Sequence, residues 1–220
     1  MRCVIVAACV VVGLGSVNWA APAPAPPMSI TQKLAQRVKF DGIDDPKADL
    51  SEGLDKLSKL YDVSFDINEK AFKFENVMDV GKTEIASPHP IPAMKSARLS
   101  TILRKILARI PVPSGATFLV RADHIEITTG IFKDQEVWGS YNGPKLPLVH
   151  ATLEKCPLED AVKELAEQAD FNVVLDNRAA DKAKTPVSAR LLNTPLDTAL
   201  RFLADMADLR SVHLDNVLYV

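Results

Sequence analysis

Two separated stretches of this sequence share one helical spacing and the same switch into strand alternation, and that internal repeat constrains the fold more than any other feature. Leu50–Asn68 (LSEGLDKLSKLYDVSFDIN) aligns with Leu158–Asp176 (LEDAVKELAEQADFNVVLD). Apolar or small residues fall at Leu50, Gly53, Leu54, Leu57, Ser58 and Tyr61 in the first, and at Leu158, Ala161, Val162, Leu165, Ala166 and Ala169 in the second. The spacing i, i+3, i+4, i+7, i+8, i+11 draws one stripe along an α-helix. Each stripe meets an aspartate, Asp62 or Asp170, and passes into an alternating segment, Val63–Ile67 or Phe171–Leu175.

A second helix repeats the spacing in each half: Leu99, Ile102, Leu103, Ile106, Leu107 and Ile110, then Leu196, Ala199, Leu200, Leu203, Ala204 and Ala207. Asp49 with Glu52, and Thr194-Pro195-Leu196-Asp197, supply helix starts. Each half closes on a hairpin. Phe118–Arg121 turns at Asp123-His124 into Ile125–Thr128, and Ser211–Leu214 turns at Asp215-Asn216 into Val217–Val220. Asp, Asn and His tolerate the left-handed backbone of tight turns.

The expected fold is therefore α/β of the α+β kind: two tandem small modules, each β-α-β-β-α-β-β, with two helices packed on a small sheet. Module 1 spans 36–129 and module 2 spans 147–220. Opening strands are expected at Arg37–Phe40 and Leu148–Leu153, and middle strands near Ile91–Met94 and at Pro186–Leu191. Gly130–Leu146 (GIFKDQEVWGSYNGPKL), punctuated by glycines and a proline, is expected to be a linker. Aromatics make up only 6% of the chain, so the cores must be aliphatic. Modules this small bury just enough apolar surface to offset their ordering entropy, which favours packing against each other or against a partner.

Residues 1–20 are expected to be a signal peptide: Arg2 precedes the uncharged apolar run Val4–Gly15, and small residues follow at Ala20–Ala23. The run is shorter than the ~20 apolar residues of a bilayer-spanning helix, so membrane contact is expected only if this segment stays uncleaved. Val6-Ala7-Ala8-Cys9 has the outline of a lipoprotein signal, but too few residues precede Cys9 for an apolar core. Residues 21–35 are expected to be a Pro/Ala-rich tether, because Ala21–Pro27 (APAPAPP) favours extended polyproline II. Removing the signal leaves Cys156 as the only one of three cysteines, so no internal disulfide is expected. A net charge of −2, without clustered Lys and Arg, argues against nucleic acid.

The second half carries further motifs: Val149-x-Ala151-x-Leu153, Cys156-Pro157-Leu158-x-x-Ala161 and Phe171-Asn172-Val173-Val174-Leu175-Asp176. With Thr194-Pro195-Leu196-Asp197-x-Ala199-Leu200 and Asn216-Val217-Leu218-Tyr219-Val220, this half resembles the short N-terminal domain of secretins and TonB-dependent transducers. The resemblance covers Leu148–Val220 closely and Arg37–Thr128 loosely. It implies a periplasmic or outer-membrane-associated, non-catalytic protein-interaction or assembly module of the cell envelope, binding another envelope protein or itself. No secretin barrel, plug or TonB box follows the last strand, so the resemblance by itself assigns neither a pore nor a transducer role.

Nothing else in the sequence carries chemistry at the required spacing. Val80-Gly81-Lys82-Thr83 resembles the end of a phosphate loop, but Asn76 stands where the motif needs glycine. His89, His124, His150 and His213 are scattered, with His150 and His213 the one pair placed to meet across a sheet, so neither metal nor cofactor is expected. Cys156, before Pro157 at a helix start, is expected to be a small buried residue rather than a dipole-activated thiol. No nucleophile signature is present. Arg104 and Arg201, at matching positions of the second helices, are expected to face solvent. The candidate partner contacts are Trp138 and Tyr141 in the linker, residues that more commonly clamp a linker onto the domains beside it, with Val217 and Val220 on the closing strand, which is expected to leave an open sheet edge. The alternative is an envelope hydrolase or ligand-binding protein with a site between the modules. Polar groups converging in a deep cleft there would favour it, and flat surfaces with free sheet edges would favour interaction.

The signal reading predicts that the mature chain begins between about Ala21 and Met28. N-terminal sequencing of protein from the native envelope should recover that start; an intact Met1 in a soluble cytosolic fraction would refute export.

Overall fold

The computed structural model describes residues 28–140, 146–214 and 216–220. Residues 1–20, where a signal peptide is expected, and Ala21–Pro27, Tyr141 and Asp215 lie outside them. The chain is mixed α/β. Its first half runs α1 (Ile30–Ala35), β1 (Arg37–Phe40), α2 (Leu50–Tyr61), β2 (Phe65–Ile67), α3 (Glu69–Phe74), β3 (Met94–Arg98), α4 (Leu99–Leu107), β4 (Ala116–Val120), β5 (Ile125–Thr129) and α5 (Gly130–Trp138). The second half follows with β6 (Leu148–Pro157), α6 (Leu158–Ala169), β7 (Asn172–Val174), α7 (Ala180–Ala183), β8 (Pro186–Pro195), α8 (Leu196–Met206), β9 (Val212–Leu214) and β10 (Val217–Tyr219).

The helices form where the stripes place them, and their ends are chemically specified. The Asp49 carboxylate accepts the Glu52 N–H at 2.8 Å while Glu52 reaches back to the Asp49 N–H, closing a capping box at the start of α2. Helices α2 and α6 both stop at left-handed aspartates, Asp62 (φ 52°) and Asp170 (φ 52°), whose short polar side chain makes that region accessible. Helix α4 buries Leu99, Ile102, Leu103, Ile106 and Leu107, and α8 buries Leu196, Ala199, Leu200, Leu203 and Ala204. Gly53 sits on the buried stripe of α2 because Ile85 packs directly over it; a Cβ there would lie 2.6 Å from the Ile85 Cδ1.

The two halves carry the same strand pairings. An antiparallel pair joins β1 to β3 in one and β6 to β8 in the other. A three-stranded sheet has the order β2-β5-β4 in one and β7-β10-β9 in the other, each with one parallel and one antiparallel pairing. Each half builds its own aliphatic core, the first around Leu57, Ile102, Leu103 and Ile127, the second around Leu165, Leu200, Leu203 and Leu218.

Several expectations are corrected. Residues 130–146 are not simply a linker: Gly130–Trp138 is a helix that packs on β4 and β5 and ends at left-handed Gly139 (φ 66°). Its glycine start suggested a loop, but the sheet face beneath supplies a surface for it. The tether ends earlier than residue 35, since Ser29 caps α1 and Leu34 is fully buried against the first core. The middle strand of the first half is Met94–Arg98; Ile91 only bridges to Ile43. Most consequentially, β10 is the central strand of its sheet, paired on both sides, and Val220 is buried. The parallel pairing with β7 covers it, so the edges of this sheet belong to β7 and β9.

Burial predicts the energetics. Leu165→Ala or Leu203→Ala should each lower unfolding free energy by roughly 2–5 kcal/mol, whereas Arg201→Ala, on the exposed side of α8, should stay within about 0.5 kcal/mol of wild type. Urea denaturation of the three variants decides it; similar losses in all three would mean the helix faces are assigned wrongly.

Candidate functional site

The halves meet along a chain of hydrogen bonds that starts and ends in the first half. Asn193 lies in β8 with a left-handed backbone (φ 49°), where β8 shifts register against β6. Its side-chain amide reaches across to β4: Oδ1 accepts the Val120 N–H at 2.8 Å, and Nδ2 donates to the Val120 carbonyl at 2.9 Å. The amide thus serves one residue of β4 as a neighbouring strand would. The Asn193 main-chain N–H donates to His150 Nδ1 at 3.1 Å. The His150 main chain is held in turn by the Gln168 side chain: Oε1 accepts the His150 N–H at 2.8 Å, and Nε2 donates to the His150 carbonyl at 3.0 Å. Finally, Arg104 Nη1 donates to the Gln168 carbonyl at 3.1 Å. Beside this chain, Arg98 donates to Glu167 at 2.8 Å.

His150 is 3% exposed, stacks near Phe118 with ring centroids 5.9 Å apart, and has its pKa pushed down to about 4, first by burial and then by the Arg104 charge. It is therefore neutral near pH 7, with Nδ1 unprotonated to accept the Asn193 N–H.

Between the halves this seam borders an open cavity of about 500 Å³, with Arg104, Phe118, Lys133, Asp134, His150 and Phe171 among its walls. Helix α5 brings Lys133 and Asp134. The α5 start is fixed by Ser114, whose Oγ accepts the Ile131 N–H at 3.1 Å and donates to Glu75 at 2.6 Å. The Lys133 ammonium lies 2.7 Å from Asp134 Oδ1 but off the angle of a hydrogen bond, so that buried oxygen has charge neutralisation without a hydrogen bond. Ser114 is committed to capping, and among the described residues no three His, Cys, Asp or Glu side chains gather as metal ligands would.

The residues singled out by sequence fare differently. Trp138 ends α5, with its indole N–H buried and unpartnered; Tyr141 lies outside the described residues. Val217 is half-buried on the central strand, and neither it nor buried Val220 offers an edge. His150 and His213 do not meet: they belong to different sheets, and His213 packs on Phe171. Arg104 does not face solvent; the second half closes over it, while matching Arg201 stays exposed. Cys156 is half-buried, and burial, helped by Asp160 and Glu164, pushes its thiol pKa up. Val80–Lys82 is a single 3-10 turn whose Gly81 lies against α2, where a Cβ would sit 2.6 Å from the Ser51 Oγ.

Sequence reasoning missed Gln168 and Asn193. Gln168 left a trace: it occupies the helical position of Leu60 in the first half, yet the glutamine is buried and the leucine exposed. No family model, curated protein or solved structure matches the chain. Among the described residues no helix is long and apolar enough to cross a membrane.

The seam predicts an acid-sensitive stability. The folded ring holds its proton less tightly than a free histidine of pKa 6.5. The unfolded chain therefore binds more protons between pH 6.5 and about 4, and stability, fully present above 6.5, falls through that window by about 3 kcal/mol. His150→Gln should flatten this part of the profile in urea titrations at pH 7, 5.5 and 4.5; parallel profiles would show that His150 does not link folding to pH.

Proposed function

We propose that the chain is an exported, non-catalytic protein-interaction module of the cell envelope, built from two units like the short N-terminal domain of secretins and TonB-dependent transducers. It would work outside the cytoplasm, in the periplasm or at the outer membrane, binding an envelope protein or a second copy of itself. The observation that carries this reading is the outer face of the β7-β10-β9 sheet. Its register lines up Val174, Tyr219 and Val212 in one row and Asn172, Val217 and Leu214 in the next. Val174, Val212 and Leu214 are 44%, 50% and 55% exposed. The corresponding face of the β2-β5-β4 sheet is covered by α5, and its Leu119 and Thr128 are buried. An apolar face bordered by the free edge of β9 suits a partner that adds a strand to β9 and lays apolar side chains over the rows.

Replacing Val212 and Leu214 together by lysine should weaken association by about tenfold or more while changing stability little, because both side chains are exposed. Light scattering and cross-linking of the full chain, with hydrogen exchange at the β9 amides, provide the measurement. Unchanged association in the variant, or no association of the wild type in its own envelope, would refute the reading.

A further inference from the structure

Arg104 is a half-buried cation that no carboxylate of the described residues meets in an ion pair. Burial works against its protonated state, and among the described residues Asp170 offsets this from beyond ion-pair distance. Nη1 is used by the Gln168 carbonyl. Among the described residues no carboxylate pairs with the guanidinium, and Nε and Nη2 have no protein acceptor. A guanidinium stays charged in any protein environment, and leaving such a group half-buried without an anion is unfavourable. Folding does not require an arginine here to be desolvated: matching Arg201 carries the same side chain in solvent. The free donors of Arg104 stand at the wall of the seam cavity.

The other walls restrict what an occupant can be. Lys133 and Asp134, consecutive on α5 with side chains only 15% and 11% exposed, neutralise each other on one wall of the cavity. His150 is neutral. Among the described lining residues one positive charge therefore remains, which matches a single negative charge and would leave a dianion only half neutralised. Phe118, Phe171 and Leu148 add an apolar surface. The volume of about 500 Å³ lies within the roughly 300–1,000 Å³ typical of small-ligand sites.

We propose that this cavity binds a monocarboxylate with an apolar body, its carboxylate on the free side of the Arg104 guanidinium and its apolar part against Phe118 and Phe171. The planar fork of arginine presents parallel donors to both carboxylate oxygens. The same chemistry is offered by a small free acid and by the C-terminal carboxylate of a peptide. Val212 and Leu214 are not among the cavity walls, so lysines there should leave the site intact.

The test titrates the full chain with four probes: hexanoate, an acetylated pentapeptide ending in leucine with a free C-terminus, the same peptide amidated, and inorganic phosphate. Binding is read by calorimetry and by ligand-observed magnetic resonance. The acid peptide should bind at least about tenfold more tightly than the amide, the loss expected for a charge-assisted pair. This comparison uses only wild-type protein, so it survives any variant that fails to fold. Arg104→Gln should lose a similar factor and Lys133→Gln a smaller one, while Arg201→Gln should bind like wild type; thermal melts of each are run alongside. Hexanoate binding as tightly as the acid peptide would assign the site to free acids, and binding of the peptide alone would assign it to chain termini. Equal binding of acid and amide, tighter binding of phosphate than of either carboxylate, or no binding of either would overturn the proposal.

Discussion

The side-chain amide of Asn193 does for β4 what a strand would otherwise do. A sheet edge must have its N–H and C=O groups satisfied, and the two halves here meet without extending one sheet into the other. Asn193 bonds both main-chain groups of Val120, and its own N–H rests on the ring of His150. Gln168 repeats the device on the main chain of His150, and Arg104 ties Gln168 back to the first half. Each link uses a group that would otherwise be buried without a partner, so the seam is polar yet closed. Its specificity follows from that: another docking angle would strand several buried donors and acceptors at once.

This seam also explains why one half differs from the other in its surfaces. The first half is wrapped: α1 packs on α4 and β6, α3 contacts β5, and α5 lies over β4 and β5. The second half is covered on the side that faces the seam and open on the outer face of its three-stranded sheet. The cavity and the apolar rows of β7, β10 and β9 are thus two consequences of one arrangement. The first lies where the halves meet and polar groups converge; the second lies where no element of the described chain reaches.

The two surfaces suit different kinds of recognition. The outer sheet face offers area, an edge and apolar side chains, the features through which proteins add strands to one another. The seam cavity offers a small volume, one unanswered charge and aromatic walls, the features of a small-group site. Neither brings together a base, a nucleophile and a group to orient them: Ser114 caps a helix, Cys156 is held as a neutral thiol, and His150 spends its free nitrogen on the Asn193 N–H.

What the sequence determined by itself is local. The stripes of the four long helices, the aspartates that stop α2 and α6, the capping box at Asp49 and the positions of the closing hairpins all follow from contacts three or four residues apart or from one residue's backbone preference. Such information is written in consecutive residues, and the repeat wrote it twice. Tertiary structure alone decided which surfaces those elements turned toward each other. Arg104 and Arg201 hold the same place on matching helices, and only one is drawn into a cavity. Leu60 and Gln168 likewise share a position, and the polar one is buried. The strand Val217–Tyr219 reads as a closing edge, but β7 takes the side that chain order left open. Helix α5 begins on a glycine that reads as a loop until a sheet lies beneath it. Pairing and docking depend on residues far apart in the chain, where burial and the satisfaction of main-chain groups outweigh any local preference.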